Sequence, residues 1–129
     1  MITFDEMDLL LDSISFEIPE DFYKELNGGI ILSPGVKLHP ESRENEPLYI
    51  LGEYHNDRQG YGGLGRYIMV YYGSFLRVHP NLSPEQTREE LKNLLMHEFT
   101  HHLESLAGER GLEIKDEIAL YKYKRRARE

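Results

Sequence analysis

The residues of this sequence whose types and spacing could do chemistry are His97, Glu98 and His101, which form the pattern H-E-x-x-H. Two imidazoles one helical turn apart can bind a single zinc ion at about 2.0–2.1 Å. The glutamate beside them can take a proton from a water whose pKa zinc lowers to about 7, and the resulting hydroxide attacks a carbonyl group. The pattern therefore predicts a Zn²⁺ site with Glu98 as general base, against the alternative of a histidine-rich helix face.

A third histidine, His102, follows directly but belongs to a different side of the helix. At about 100° per residue, His101 lies about 40° from His97, whereas His102 lies about 140° from it, among the apolar residues that must face the core. We therefore expect His97 and His101 to share a metal and His102 to be a hydrogen-bonded core residue.

A catalytic zinc needs a third protein ligand and one open position. The longer zincin motif has a glycine and then a histidine or aspartate where this sequence has Glu104 and Ala107, so that motif is absent. Glu104 lies about 10.5 Å along the axis from His97, too far to reach the zinc without strain. The segment after the helix offers Asp116, which we prefer, then Glu117 and Glu113. The alternative is that these carboxylates only solvate a helix start.

The helix that carries the motif has clear boundary signals. Ser83 is a suitable N-cap, Pro84 fits the first turn, and Gln86 completes a capping box. The pattern predicts a helix from Pro84 to about Ala107, ended by Gly108 in a left-handed conformation.

The remaining chain predicts both helices and strands. Residues 4–26 have helical spacing interrupted at Pro19, and three apolar, β-branched or aromatic runs at 29–38, 48–54 and 66–78 are typical of strands. The last of these, with the preceding Gly65, is the natural candidate for an edge strand that binds a peptide. For most of its residues we prefer the alternative of an ordinary sheet strand. Together these elements predict an α+β fold with a small mixed sheet packed on the H-E-x-x-H helix.

Composition excludes several classes of function. The 129 residues suit one domain, residues 1–129, and contain no cysteine, so a metal must be bound by nitrogen and oxygen. A net charge of −8 argues against nucleic acid as a partner. No apolar stretch is long enough to cross a membrane, and the acidic start is unlike a signal peptide, so we expect a cytoplasmic protein.

The sequence resembles the small bacterial zincin-like metallopeptidases, which consist of little more than a catalytic domain. The resemblance spans nearly the whole chain and is carried by LLLDSISFEIPEDFYKEL, YILGEY, RYIMVYYGSFLR and, most specifically, LLMHEFTHHLE. It implies a zincin fold, zinc bound by His97 and His101, Glu98 as general base, and an aspartate soon after the helix, here Asp116, as third ligand.

Two functions follow as expectations. The first is a zinc-dependent metallopeptidase that hydrolyses peptide bonds in a peptide or protein substrate. The alternative is a zincin-fold module that binds a peptide or protein without catalysis. Loss of cleavage on Glu98→Gln with zinc retained would distinguish them.

Overall fold

The computed structural model describes residues 1–57 and 65–110 as a small mixed α+β domain. The predicted α+β class is confirmed. The helices are α1 (Phe4–Ser15), α2 (Tyr72–Val78) and α3 (Pro84–Arg110), with one 3-10 turn at Glu20–Tyr23. The strands are β1 (Gly29–Ser33), β2 (Lys37–Leu38), β3 (Tyr49–Ile50), β4 (Gly52–Asp57) and β5 (Gly65–Tyr71).

The larger sheet has the strand order β1-β5-β4, with β1 parallel and β4 antiparallel to β5. Burial alternates along β5: Ile68 and Val70 are fully buried, whereas Tyr67, Met69 and Tyr71 are half-buried. One face of the sheet therefore packs on the core. Residues 65–71 form an ordinary central strand, as preferred for most of this run, and the alternative of a peptide-binding edge strand is wrong because β4 and β1 are the outer strands of this sheet.

The predicted strand at 66–78 ends at Tyr71, and its second half is helix α2. A short apolar run does not distinguish a buried strand from a buried helix. The chain turns at Gly73, whose backbone N–H donates to the carbonyl oxygen of Gly35 at 3.0 Å. A Cβ on Gly73 would lie 2.7 Å from that oxygen, so this close approach requires glycine.

The other two predicted strands are each divided in two. The run 29–38 is interrupted at Pro34, which lacks a backbone N–H for a sheet ladder. Its second half, β2, pairs with β3 in a separate two-stranded antiparallel sheet. The run 48–54 similarly divides at Leu51 into β3 and β4.

Helix α3 begins as predicted and ends later than predicted. The hydroxyl of Ser83 accepts the backbone N–H of Gln86, and the Gln86 side chain accepts the backbone N–H of Ser83, so the capping box is present. The helix continues through Gly108 to Arg110, and the predicted stop at Gly108 is therefore wrong.

The core lies between α3, α1 and the inner face of the sheet. Its fully buried members from α3 are Leu91, Leu95 and Phe99. Met7, Leu11 and Ile14 of α1 join the same cluster. In the described ranges, no helix is long and apolar enough to cross a membrane.

Candidate metal centre

His97 and His101 converge on one point beside α3. Their Nε2 atoms are 3.2 Å apart, and their ring planes are almost perpendicular, at 89°. Two ligands at about 2.0–2.1 Å from a tetrahedral ion are about 3.3–3.4 Å apart. Both rings are exposed, so an ion and a substrate could reach them. The pair therefore fits two adjacent positions of a tetrahedral zinc site.

Glu98 lies between the two histidines in sequence, but its side chain is buried, with 5% of the residue exposed. Burial raises the pKa of its carboxyl group, and the charge of Glu53 raises the pKa further. His101 and a hydrogen bond from the backbone N–H of Tyr54 partly offset this rise. A carboxylate with a raised pKa is a stronger base at neutral pH than an ordinary surface glutamate.

His102 is fully buried, as predicted, and is bound on both sides. Its Nε2 lies 2.8 Å from the carbonyl oxygen of Lys24, and its Nδ1 lies 2.9 Å from the hydroxyl of Tyr54. Burial lowers the pKa of the imidazole, which favours the neutral form. The separation of His102 from the other two histidines is confirmed.

Glu104 approaches His101 from the side away from His97. Its carboxylate oxygen is 3.7 Å from Nδ1 of His101, whereas the Nε2 atom faces His97. Glu104 is therefore placed to orient or polarise His101 and is poorly placed to share its ion. Asp116, Glu117 and Glu113 lie outside the described residues. Within 1–57 and 65–110, no group of three His, Cys, Asp or Glu side chains is arranged to bind a metal.

The strand beside this helix is β4, and its outer edge faces the candidate centre. Tyr71 donates its N–H to Leu51 at 2.8 Å, which fixes the alternation of the β4–β5 ladder. By that alternation the backbone groups of Gly52, Tyr54 and Asn56 point away from β5. The N–H of Tyr54 accordingly reaches the carboxylate of Glu98.

Gly52 allows α3 to lie close to this strand. A Cβ at this position would be 3.1 Å from Cδ1 of Leu94 and 3.1 Å from the carbonyl oxygen of Met69. These separations are shorter than ordinary van der Waals contact. The absence of a side chain at Gly52 therefore helps to bring β4 to the helix that carries the histidines.

A polar cluster on the opposite face of the sheet was not anticipated from the sequence. The carboxylate of Glu53 accepts hydrogen bonds from Lys37 and from the hydroxyl of Tyr71, the latter at 2.7 Å, and Nε2 of His55 lies 3.6 Å away. Burial raises the pKa of Glu53, but these hydrogen bonds outweigh it and hold the pKa below its usual value. Side chains alternate between the two faces of a strand, so the sequence of β4 could have predicted that Glu53 and His55 share a face. Their partners on other strands could be identified only once the pairing register was known.

The isolated histidines of the sequence are all partly exposed and contact other residues. His55 stacks on Tyr67 with ring centroids 4.8 Å apart, and His79 packs against Phe75 at 5.0 Å. His39 accepts a backbone N–H within its own turn. Each therefore has a local structural role.

No protein-family model matches the chain, and no curated protein matches it. Among solved structures, the chain is similar to a conserved hypothetical protein from Thermus thermophilus, with 35% sequence identity and a TM-score of 0.68. The match covers 83% of this chain and 99% of that chain. The two proteins therefore share a fold over essentially the full length of the solved one.

Proposed function

We propose that this chain, which belongs to the same family as the conserved hypothetical protein from Thermus thermophilus, is a zinc-dependent peptidase with a zincin-like fold. The observation that carries the proposal is the convergence of the Nε2 atoms of His97 and His101 at 3.2 Å, beside the buried carboxylate of Glu98. A histidine-rich surface helix without a metal site would not be expected to combine converging imidazole nitrogens with a buried carboxylate beside them.

The roles of the three side chains follow from their positions. His97 and His101 would hold zinc through Nε2. When bound, zinc would supply a Lewis acid that makes a water more acidic and polarises a carbonyl group. Glu98 would accept the proton of the attacking water and pass it to the leaving amine. Its raised pKa brings its proton affinity closer to that required near neutral pH.

The third ligand remains part of the proposal. We assign it to Asp116, with Glu117 and Glu113 as the other candidates. The position of Glu104, beside Nδ1 of His101, supports an accessory role for that residue and leaves the coordination to a carboxylate that follows α3.

A peptide is the favoured substrate because the outer edge of β4 lies beside the centre. In the described part of the chain, no strand pairs with the outer edge of β4. The outward backbone groups of Gly52 and Asn56 could pair with an extended peptide, as in other cases of strand addition. Such pairing would lay a peptide bond along the strand that contacts Glu98. The cytoplasmic location expected from the sequence also remains part of this proposal.

The test compares the wild-type protein with Glu98→Gln. The zinc content of both purified proteins is measured by elemental analysis, and cleavage of an unstructured peptide library is followed by mass spectrometry. We expect about one zinc per chain in both and at least a roughly 100-fold lower cleavage rate in the variant. Wild-type protein without zinc, or cleavage unchanged in Glu98→Gln, contradicts the proposal.

The second candidate is a module that binds peptides without cleaving them, and the outer edge of β4, with which no strand within residues 1–57 and 65–110 pairs, favours it equally. Full zinc occupancy, saturable binding of extended peptides and no cleavage by the wild-type protein would support this candidate. Cleavage that depends on Glu98 would exclude it.

A further inference from the structure

Tyr54 contacts α3 at two points that are one helical turn apart. Its backbone N–H donates to the carboxylate of Glu98, and its phenolic hydroxyl lies 2.9 Å from Nδ1 of His102. Glu98 and His102 are four residues apart, so they lie on neighbouring positions of one side of the helix. A single residue of β4 is thereby fixed to the part of α3 that carries the proposed base.

The second contact has a defined direction. The carbonyl oxygen of Lys24 can only accept a hydrogen bond, so Nε2 of His102, at 2.8 Å from it, carries the hydrogen. In a neutral imidazole, Nδ1 is then the acceptor, and the hydroxyl of Tyr54 donates to it. His102 is fully buried, so water does not compete for either bond.

Within the described ranges, few other polar contacts fix β4 against α3. Gly52 offers no side chain, and the side-chain nitrogen of Asn56 lies 3.3 Å from the hydroxyl of Ser105, at the exposed end of the strand. The bond from Tyr54 to His102 is therefore the best-placed polar contact to hold the backbone N–H of residue 54 in register with Glu98.

We propose that Tyr54 and His102 are positioning residues, which hold the backbone of β4 against α3 so that the N–H of Tyr54 fixes the carboxylate of Glu98. The meaning of this arrangement for catalysis rests on the proposed function. The arrangement itself is a property of the folded chain and is testable without metal or substrate.

The experiment measures amide hydrogen exchange by NMR in the full chain. The reference is the amide of Tyr71, which is bonded to Leu51 in the same strand pair and corrects for changes in overall stability. The quantity of interest is the exchange rate at residue 54 relative to that at Tyr71. In Tyr54→Phe, which removes only the hydroxyl, we expect this ratio to rise about three- to tenfold.

Two substitutions of His102 separate its two bonds. His102→Asn can retain an acceptor near Nδ1 for Tyr54, whereas His102→Gln can retain a donor near Nε2 for Lys24. We expect the ratio to stay within about twofold of wild type in the asparagine variant and to rise as in Tyr54→Phe in the glutamine variant. The control is Tyr72→Phe, which loses a hydroxyl bond of 2.7 Å to the carbonyl of Ile2, away from α3.

An unchanged ratio in Tyr54→Phe, or equal increases in Tyr54→Phe and Tyr72→Phe, overturns the proposal. Equal effects of the asparagine and glutamine substitutions also overturn it. Peptide cleavage gives a separate readout, in which Tyr54→Phe should lower kcat at least about threefold, leaving zinc content and KM unchanged. If the wild type cleaves no peptide, the proposed function fails, but the exchange ratio still decides the roles of Tyr54 and His102.

Discussion

The Nε2 atoms of His97 and His101 face each other at 3.2 Å, with their rings at 89°. At this separation one neutral ring can donate to the other, or both can bind one cation. The separation of the two nitrogens therefore matches that of two neighbouring ligands of one zinc ion.

We predict that His97→Ala and His101→Ala each lower zinc affinity by about 100-fold or more, because each removes one of three proposed protein ligands. Isothermal titration with zinc, started from chelator-treated protein, measures the change. The matched control is His102→Ala, which should retain zinc but lose about 2–4 kcal/mol of unfolding free energy, since it leaves a cavity and unpaired buried groups. Similar loss of zinc in all three variants would contradict the separation of the histidines.

We predict that Glu98→Gln is more stable than the wild type at neutral pH in the absence of metal. The carboxyl pKa is raised in the folded state, so its ionisation costs more there than in the unfolded chain. The advantage of glutamine should grow as the pH rises above the usual value of 4.5, level off above the raised pKa, and vanish below 4.5. Thermal unfolding from about pH 4 to 8 should show a difference of a few degrees at the upper end. A constant difference over this range would show that burial does not perturb Glu98.

We predict different effects for the two candidate carboxylates near the end of α3. Asp116→Ala should weaken zinc binding by about 10-fold or more, whereas Glu104→Ala should change it by less than about threefold, because Glu104 lies beside Nδ1 of His101. Competition with a coloured zinc chelator measures both affinities. Loss of the metal from Glu104→Ala alone would make that residue the ligand and remove the reason to assign Asp116.

We predict opposite effects of alanine at two glycines. Gly108→Ala should stabilise the protein by about 0.5–1 kcal/mol, since the residue lies within a helix and a Cβ would meet nothing within 4 Å. Gly52→Ala should destabilise it by about 1 kcal/mol or more, because the new Cβ would crowd Leu94 and a backbone oxygen. Urea unfolding measures both changes. Destabilisation by Gly108→Ala would restore the left-handed helix end expected from the sequence.

The sequence was sufficient to predict the features that depend on one helix alone. The helix start at Ser83 and the division of His102 from His97 both follow from local chemistry and from about 3.6 residues per turn. The burial of Glu98 was not foreseen, because it depends on the strand that packs against it.

The sequence was insufficient where pairing between distant segments decides the structure. The sequence makes residues 65–78 a candidate for an edge strand, but β5 lies between β1 and β4, and no local pattern encodes these pairings. Tyr54 was missed because its importance arises only when β4 lies beside α3. The helical end of the run, α2, was missed because its turn at Gly73 depends on the backbone of Gly35.

The sheet order also suggests how the molecule acquires its structure. β4 and β5 are consecutive strands, whereas the pairing of Gly29 with Tyr67 joins positions far apart in the chain. Short loops close at a lower entropic cost than long ones, so the antiparallel pair can form before the parallel strand joins it. The bond from His102 to Lys24 spans an even longer separation, 78 residues. A chain emerging from the ribosome can therefore pair β1 with β5 once residue 71 is made, but must complete residue 102 before the carbonyl of Lys24 can accept this bond.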